Sequence, residues 1–301
     1  STYFNFLPTG SRAVTHLVRR MRHSLEVEQD KIRNIDDLPV FDTLAANVLY
    51  TFLFEPIKEQ LSQTDHLIIV ANGSLNSLPF DALIARNESD DAAKIGDYRD
   101  YHWLIDQYTI STLPSIEAFR MLRERGSKVF TPGSFVGVGD PEFNRQFLET
   151  SSLGAIPQTR KTILEVGQVL GEQKQTIFLG PSASETNLKG IDLTGSQTIV
   201  FATHGLLSNQ IEGLVEPALA LSSPFSKSEL DDGFLTASEI SKLDIGSQLV
   251  ILSACNTGTQ VENSVDTGLP SLASAFFFAG ANSLIISHWM AETSSTNAVI
   301  K

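Results

Sequence analysis

Apolar positions in this chain follow two patterns, one of helical spacing and one of short unbroken runs. Between 11 and 28, Val14, Leu17, Val18, Met21 and Leu25 recur at three- and four-residue steps, the period of an amphipathic helix. From 39 to 61 the spacing returns in Leu44, Val48, Leu49, Phe52 and Leu53, and Pro56, which has no N–H, is expected to kink or restart that helix. His66-Leu67-Ile68-Ile69-Val70-Ala71 and Tyr108-Thr109-Ile110-Ser111-Thr112-Leu113 read as short strands, stopped by Asn72-Gly73 and by Pro114. Residues 88–97 are polar and acidic and read as an exposed loop, and 115–125 reads as a helix capped by Ser115.

Past a Gly/Ser/Pro passage at 126–134 the alternation becomes regular. Strands are predicted at 135–139, 176–179, 198–203, 248–253 and 282–287, and helices at 159–172, 184–189, 236–243 and 267–279. Strands alternating with helices argue for an α/β fold whose parallel sheet carries helices on both faces. The sequence therefore predicts an N-terminal α/β part over 1–126 and a second, larger part over 134–301. A further helical pattern opens near Ser294 and is interrupted at Lys301, so that second part is expected to be cut short. No fixed-period repeat is visible.

Composition narrows the functional classes. The formal charge is 22 − 35 = −13, a poor match to phosphate backbones or anionic lipid and a mildly favourable one to basic partners. No direct nucleic-acid or membrane binding is expected, and the apolar stretches are too short to span a bilayer. A single cysteine excludes an intrachain disulfide and any multi-cysteine zinc site, and it suits a reducing, cytoplasmic compartment. No metal and no cofactor are expected: Gly137-Val138-Gly139 lacks the third glycine of a dinucleotide fingerprint, with Glu142 in its place, and no phosphate loop occurs. The charged stretch from Glu229 to Asp232 reads as a solvated loop.

Candidate chemistry lies at the ends of two buried strands. One run ends in Thr203-His204-Gly205 and the other in Ser253-Ala254-Cys255-Asn256. The carboxyl ends of strands in an open parallel sheet line the ligand crevice, so an imidazole and a thiol are expected on one rim. A Cys and a His distant in sequence but adjacent in space are what a cysteine peptidase needs, the His about 50 residues upstream being the caspase-type spacing. Taken singly, each residue has a plainer reading: a buried cysteine is more often core, and a lone histidine more often structural. Asp192 and Asp244 are near His204 in sequence only, and a backbone carbonyl could orient the imidazole equally well, so a dyad is expected.

Three stretches occur in a telling order: Phe201-Ala202-Thr203-His204-Gly205, Asp232-Gly233-Phe234-Leu235-Thr236-Ala237-Ser238-Glu239-Ile240 and Leu252-Ser253-Ala254-Cys255-Asn256-Thr257-Gly258. With Asn72-Gly73-Ser74-Leu75-Asn76-Ser77-Leu78-Pro79-Phe80, Ser134-Phe135-Val136-Gly137-Val138-Gly139-Asp140-Pro141 and Ala279-Gly280-Ala281-Asn282-Ser283-Leu284-Ile285-Ile286-Ser287-His288-Trp289, they resemble the CHAT domain, a caspase- and separase-like cysteine peptidase family of clan CD. The resemblance implies a caspase-like parallel-sheet fold with a non-catalytic N-terminal part. It implies His204 as general base and Cys255 as nucleophile, with backbone N–H groups of Gly205 and Cys255 as oxyanion donors. It further implies that the edge from Ser287 to Glu292 takes a protein substrate as an added strand, with Trp289 and Glu292, and Asp140 after the first core strand, near the P1 side chain. Many relatives read Ser-Leu-Trp followed by an acidic pair; here His288 stands for the Leu and Thr293 for the second acid, which leaves Glu292 alone to receive a basic P1 side chain. Relatives often work under a regulatory protein or an N-terminal TPR-type module, some in bacterial defence including CRISPR-associated systems. The reading is thus a cysteine endopeptidase switched on by a partner. Its alternative is a catalytically silent scaffold of the same fold.

Overall fold

The computed structural model describes residues 7, 9–25, 39–87, 98–125, 131–143, 153–170, 174–224, 228, 231–253 and 268–287, with backbone alone at 86–87, 131–133 and 268–271. The chain divides into two units, Ser1–Ile116 and Glu117–Lys301, a division that falls ahead of the Gly/Ser/Pro passage at 126–134.

In the first unit, α1 (Ser11–His23), α2 (Thr43–Leu53) and α3 (Lys58–Leu61) precede β1 (His66–Val70), β2 (Ile84–Asn87), β3 (Tyr101–Trp103), α4 (Leu104–Gln107) and β4 (Thr109–Leu113). The spacing read from the sequence buries Val14, Val18 and Met21 on α1, and Leu49 on α2 joins the same core with Leu83 and Leu104. Asp42 caps α2 by accepting the Ala45 N–H at 2.9 Å, which fixes its start at Thr43 rather than at Pro39. The stretch to Leu61 is broken as Pro56 requires: a 3-10 turn over Glu55–Ile57 takes the proline in its first turn, and α3 restarts behind it. β1 and β4 form a parallel pair, and β2 and β3 an antiparallel one that the sequence pattern did not reveal.

The second unit is built on one sheet. Following α5 (Ile116–Glu124), at the junction, come β5 (Thr131–Gly139), α6 (Gln158–Leu170), β6 (Lys174–Leu179), α7 (Glu185–Lys189) and β7 (Ser196–Ala202). Then follow β8 (Gly205–Leu206), β9 (Ala218–Ala220), β10 (Phe234–Thr236), α8 (Ala237–Ile240), β11 (Leu249–Leu252), α9 (Gly268–Ala279) and β12 (Leu284–Ile286). Five strands pair in parallel in the order β12-β11-β7-β5-β6, which confirms the predicted parallel-sheet α/β class.

Alternate residues of each strand serve opposite faces, and both faces are covered. Val136, Val138, Ile199, Phe201, Val250 and Leu252 point into a core shared with Leu188 of α7, Ile240 of α8 and Phe276 of α9. Phe135, Val200 and Ala202 point the other way, against Ile163 and Val166 of α6. Crossover handedness explains the split: the chain moves outward from β5 to β6, then reverses to β7, and right-handed connections place helices on opposite faces after a reversal. Gly137 and Gly139 let α6 come close, since a Cβ on either would lie 2.6–2.8 Å from the Ile163 side chain. The Gly-Val-Gly of β5 is therefore a helix-packing device. A second, antiparallel sheet, β10-β9-β8, springs directly from the end of β7. Among the described residues no helix is long and apolar enough to cross a membrane.

Candidate active site

The reversal in strand order falls between β5 and β7, and in sheets of this kind the crevice for ligands opens at that point, outside the carboxyl ends. His204 stands there, two residues past the end of β7. Its neighbours on the rim are Asp140 after β5, Ser253 after β11 and Ser287 after β12. The β7–β11 register is tight: Leu252 pairs with Phe201, and the Ser253 N–H donates to the Phe201 carbonyl at 2.8 Å.

Three groups hold the half-buried His204. Its carbonyl accepts the Ala220 N–H at 2.9 Å, fastening its backbone to β9. Its ring lies 5.6 Å from that of Phe143, tilted by 43°. Its Nε2 is 2.8 Å from the Gly154 carbonyl oxygen. A carbonyl oxygen carries no proton, so Nε2 must donate, and the neutral ring keeps its lone pair on Nδ1. Leu153 and Phe143 both pack on the small cluster of Leu206, Leu214, Ala218 and Phe234, which anchors the loop that presents Gly154.

Neither acid considered as a third group reaches this rim. Asp192 is spent on Thr194, accepting its N–H at 2.8 Å and its Oγ1–H at 2.6 Å, bonds that hold the carboxyl below its ordinary range. It precedes the amino end of β7, and Asp244 precedes that of β11, so both belong to the opposite end of the sheet from His204.

Asp140 is committed elsewhere on the rim. Its φ is 50°, its N–H donates to Thr159 Oγ1 at 2.8 Å, and its carbonyl accepts the Gly180 N–H at 2.9 Å. Its Oδ2 takes both Nε and Nη2 of Arg160 at 2.7 Å each. Gly205 is buried at the start of β8, paired with Leu219. Ser287 is half-buried beside the sheet's edge strand. Cys255, His288, Trp289 and Glu292 lie outside the described residues. Sequence reasoning missed Gly154, Phe143 and Ala220, which act through a carbonyl, a ring face and an amide.

A parallel α/β sheet with a histidine at its switch point, fixed through Nε2 and with no partner at Nδ1 among the described residues, fits the caspase-like class. The family model of the CHAT domain matches residues 43–301, and the chain belongs to the CHAT domain family, which is related to cysteine peptidases. Comparison with curated proteins gave no match.

Proposed function

We propose that this protein is a cysteine endopeptidase in which His204 and Cys255 form the catalytic dyad. The observation that carries the reading is the in-register pairing of β7 with β11, which ends both strands on one rim with His204 two residues beyond one of them. Cys255 follows Ser253 by two residues, a chain reach of about 7 Å at most. In this reading the Cys255 thiol gives its proton to Nδ1, the nitrogen left with a lone pair, while the Gly154 carbonyl steadies the imidazolium through Nε2–H. The thiolate attacks the scissile carbonyl, and the oxyanion settles on the N–H groups of Gly205 and Cys255. The imidazolium then gives its proton to the leaving amine. Water, deprotonated by the same nitrogen, hydrolyses the thioester and restores the thiol.

Substrate adds as a strand along the outer edge of β12, which has one strand partner among the described residues, reading from Ser287 through Trp289 to Glu292. Asp140 enters this reading as the partner of Arg160, its carboxylate already engaged. The one-cysteine composition supports action in the cytoplasm, and gating by a regulatory protein or a TPR-type module outside this chain completes the proposal.

The test is covalent. A peptidyl electrophile should label Cys255 stoichiometrically, His204→Ala should abolish that labelling, and Cys255→Ala should end cleavage of a peptide library without loss of folding. A thiol that stays inert, or reacts equally well without His204, would turn the reading to the silent scaffold.

A further inference from the structure

We propose that Glu185 is a positioning residue for the corner formed by His204 and Gly205, acting through the β8–β9–β10 sheet; the catalytic sense of this rests on the peptidase reading above. Glu185 is 0% exposed, on the first turn of α7. Its Oε1 accepts two backbone N–H groups of the loop ahead of β10, from Asp232 at 2.9 Å and Gly233 at 2.8 Å. Its Oε2 accepts Lys189 Nζ at 2.6 Å. The same ammonium donates to Glu239 Oε1 at 2.7 Å, and Glu239 Oε2 takes the N–H and Oγ1–H of Thr236 at 2.9 Å each. Glu185 therefore clamps one end of β10 and Glu239 the other, with Lys189 joining the clamps. Three donors and no acceptor meet on Glu185 among the described residues, so it works as a carboxylate.

β10 is three residues long, too short to keep its own place. What it carries is the floor of the candidate site. Phe234 pairs with Ala220, the Gly233 carbonyl accepts the Leu221 N–H at 2.8 Å, and Ala220 holds the His204 carbonyl. β9 also pairs with Gly205. Beyond the two N–H groups that the buried carboxylate accepts, each step to the His204 backbone is a backbone hydrogen bond or a strand pair. The loop also grips α7 in return, since Asp231, 6% exposed, accepts the Thr186 N–H and Oγ1–H through Oδ2. The stretch expected as a solvated loop is thus fastened down at Asp231, because two hydrogen bonds at the amino end of α7 offset its burial; Glu229 lies outside the described residues.

An ion triad with one fully buried member adds little net stability over a well-packed apolar substitute, and its best-attested use is to specify one arrangement. Glu185→Gln separates the two roles. A primary amide offers one acceptor oxygen, which can serve the two loop amides or Lys189 but not both. The first readout needs no activity: hydrogen exchange followed by mass spectrometry on the full chain. Glu185→Gln should lose protection at 231–236 and 203–207 together, while 135–139 and 198–202 keep theirs. Loss confined to 231–236, or spread evenly over the sheet, would overturn the proposal. The second readout is the rate of Cys255 alkylation by the peptidyl electrophile, expected to fall at least about tenfold with the half-saturating concentration nearly unchanged. Wild-type alkylation in Glu185→Gln would equally overturn it while leaving the peptidase reading intact. An unlabelled wild type would instead defeat that reading, and hydrogen exchange alone would then decide the positioning role. Should Glu185→Gln not fold, Glu239→Gln loosens the other clamp and carries the same expectations, and Lys189→Arg, which keeps the bridging cation, should leave both readouts near wild type.

Discussion

Asp140 has its backbone and side chain committed to separate tasks. Aspartate is one of the few residues that sit at positive φ without much strain, and this one turns the chain off β5 at φ 50°. Its carboxylate is then satisfied by Arg160, so the rim holds a closed ion pair where a basic substrate side chain would need an open acid. Asp140→Asn keeps the turn and removes the charge. Because Arg160 is 49% exposed, solvent screens the pair, and the loss should be about 0.5–1 kcal/mol in a denaturant titration. P1 preference in a cleaved library should not change. A swing in preference between basic and neutral side chains would put Asp140 in the substrate pocket after all. The histidine's place was legible at this scale, because a polar residue closing a buried run stands out. A backbone carbonyl was an open alternative as its orienting group, but the residue that supplies it was not legible, since every residue possesses a carbonyl and nothing singles out Gly154.

At the scale of elements, legibility followed length and burial. β7 and β5 were readable because runs of apolar residues buried on both faces can hardly be anything else in an α/β chain. β8 and β9, two and three residues long and wholly buried, show no period. Their existence depends on partners, above all on the clamps around β10, and those clamps have a pH signature. Burial pushes Glu185 above the ordinary carboxylate range. Burial would also lift Glu239, but its bonds to Lys189 and Thr236 outweigh that and hold it low. For Lys189 burial works downward and the two carboxylates prevail, raising it above 10.5. A raised lysine stabilises fully below its ordinary value and loses that contribution only as pH climbs through the folded one. The depressed Glu239 stabilises above 4.5 and loses its contribution as pH falls through its lower folded value. The raised Glu185 has the opposite sense, favouring the fold as it takes a proton, and in doing so it deprives Lys189 of a partner. The gap in melting temperature between wild type and Lys189→Met should therefore narrow in two steps on acidification, the first above 4.5 with Glu185 and the second below it with Glu239. A gap that ignores pH would show that Lys189 contributes packing alone.

For the whole molecule, strand order rather than any one motif places the candidate site: the chain reverses direction once across the sheet, and His204 marks that reversal. The net charge of −13 then bears on how substrate arrives. A field of that sign raises the local concentration of cationic peptides, and it acts over a Debye length of about 10 Å at 0.1 M salt. Steering of this kind changes encounter and leaves the bond-making steps alone. For a reporter peptide flanked by lysines away from the scissile bond, kcat/KM should fall several-fold between about 0.02 and 0.3 M sodium chloride, with kcat nearly constant. A neutral peptide of the same core should show little slope. Equal slopes for the two peptides would mean that the acidic surface faces away from the approach to the rim. A slope in kcat itself would point to salt acting on the bond-making steps rather than on encounter.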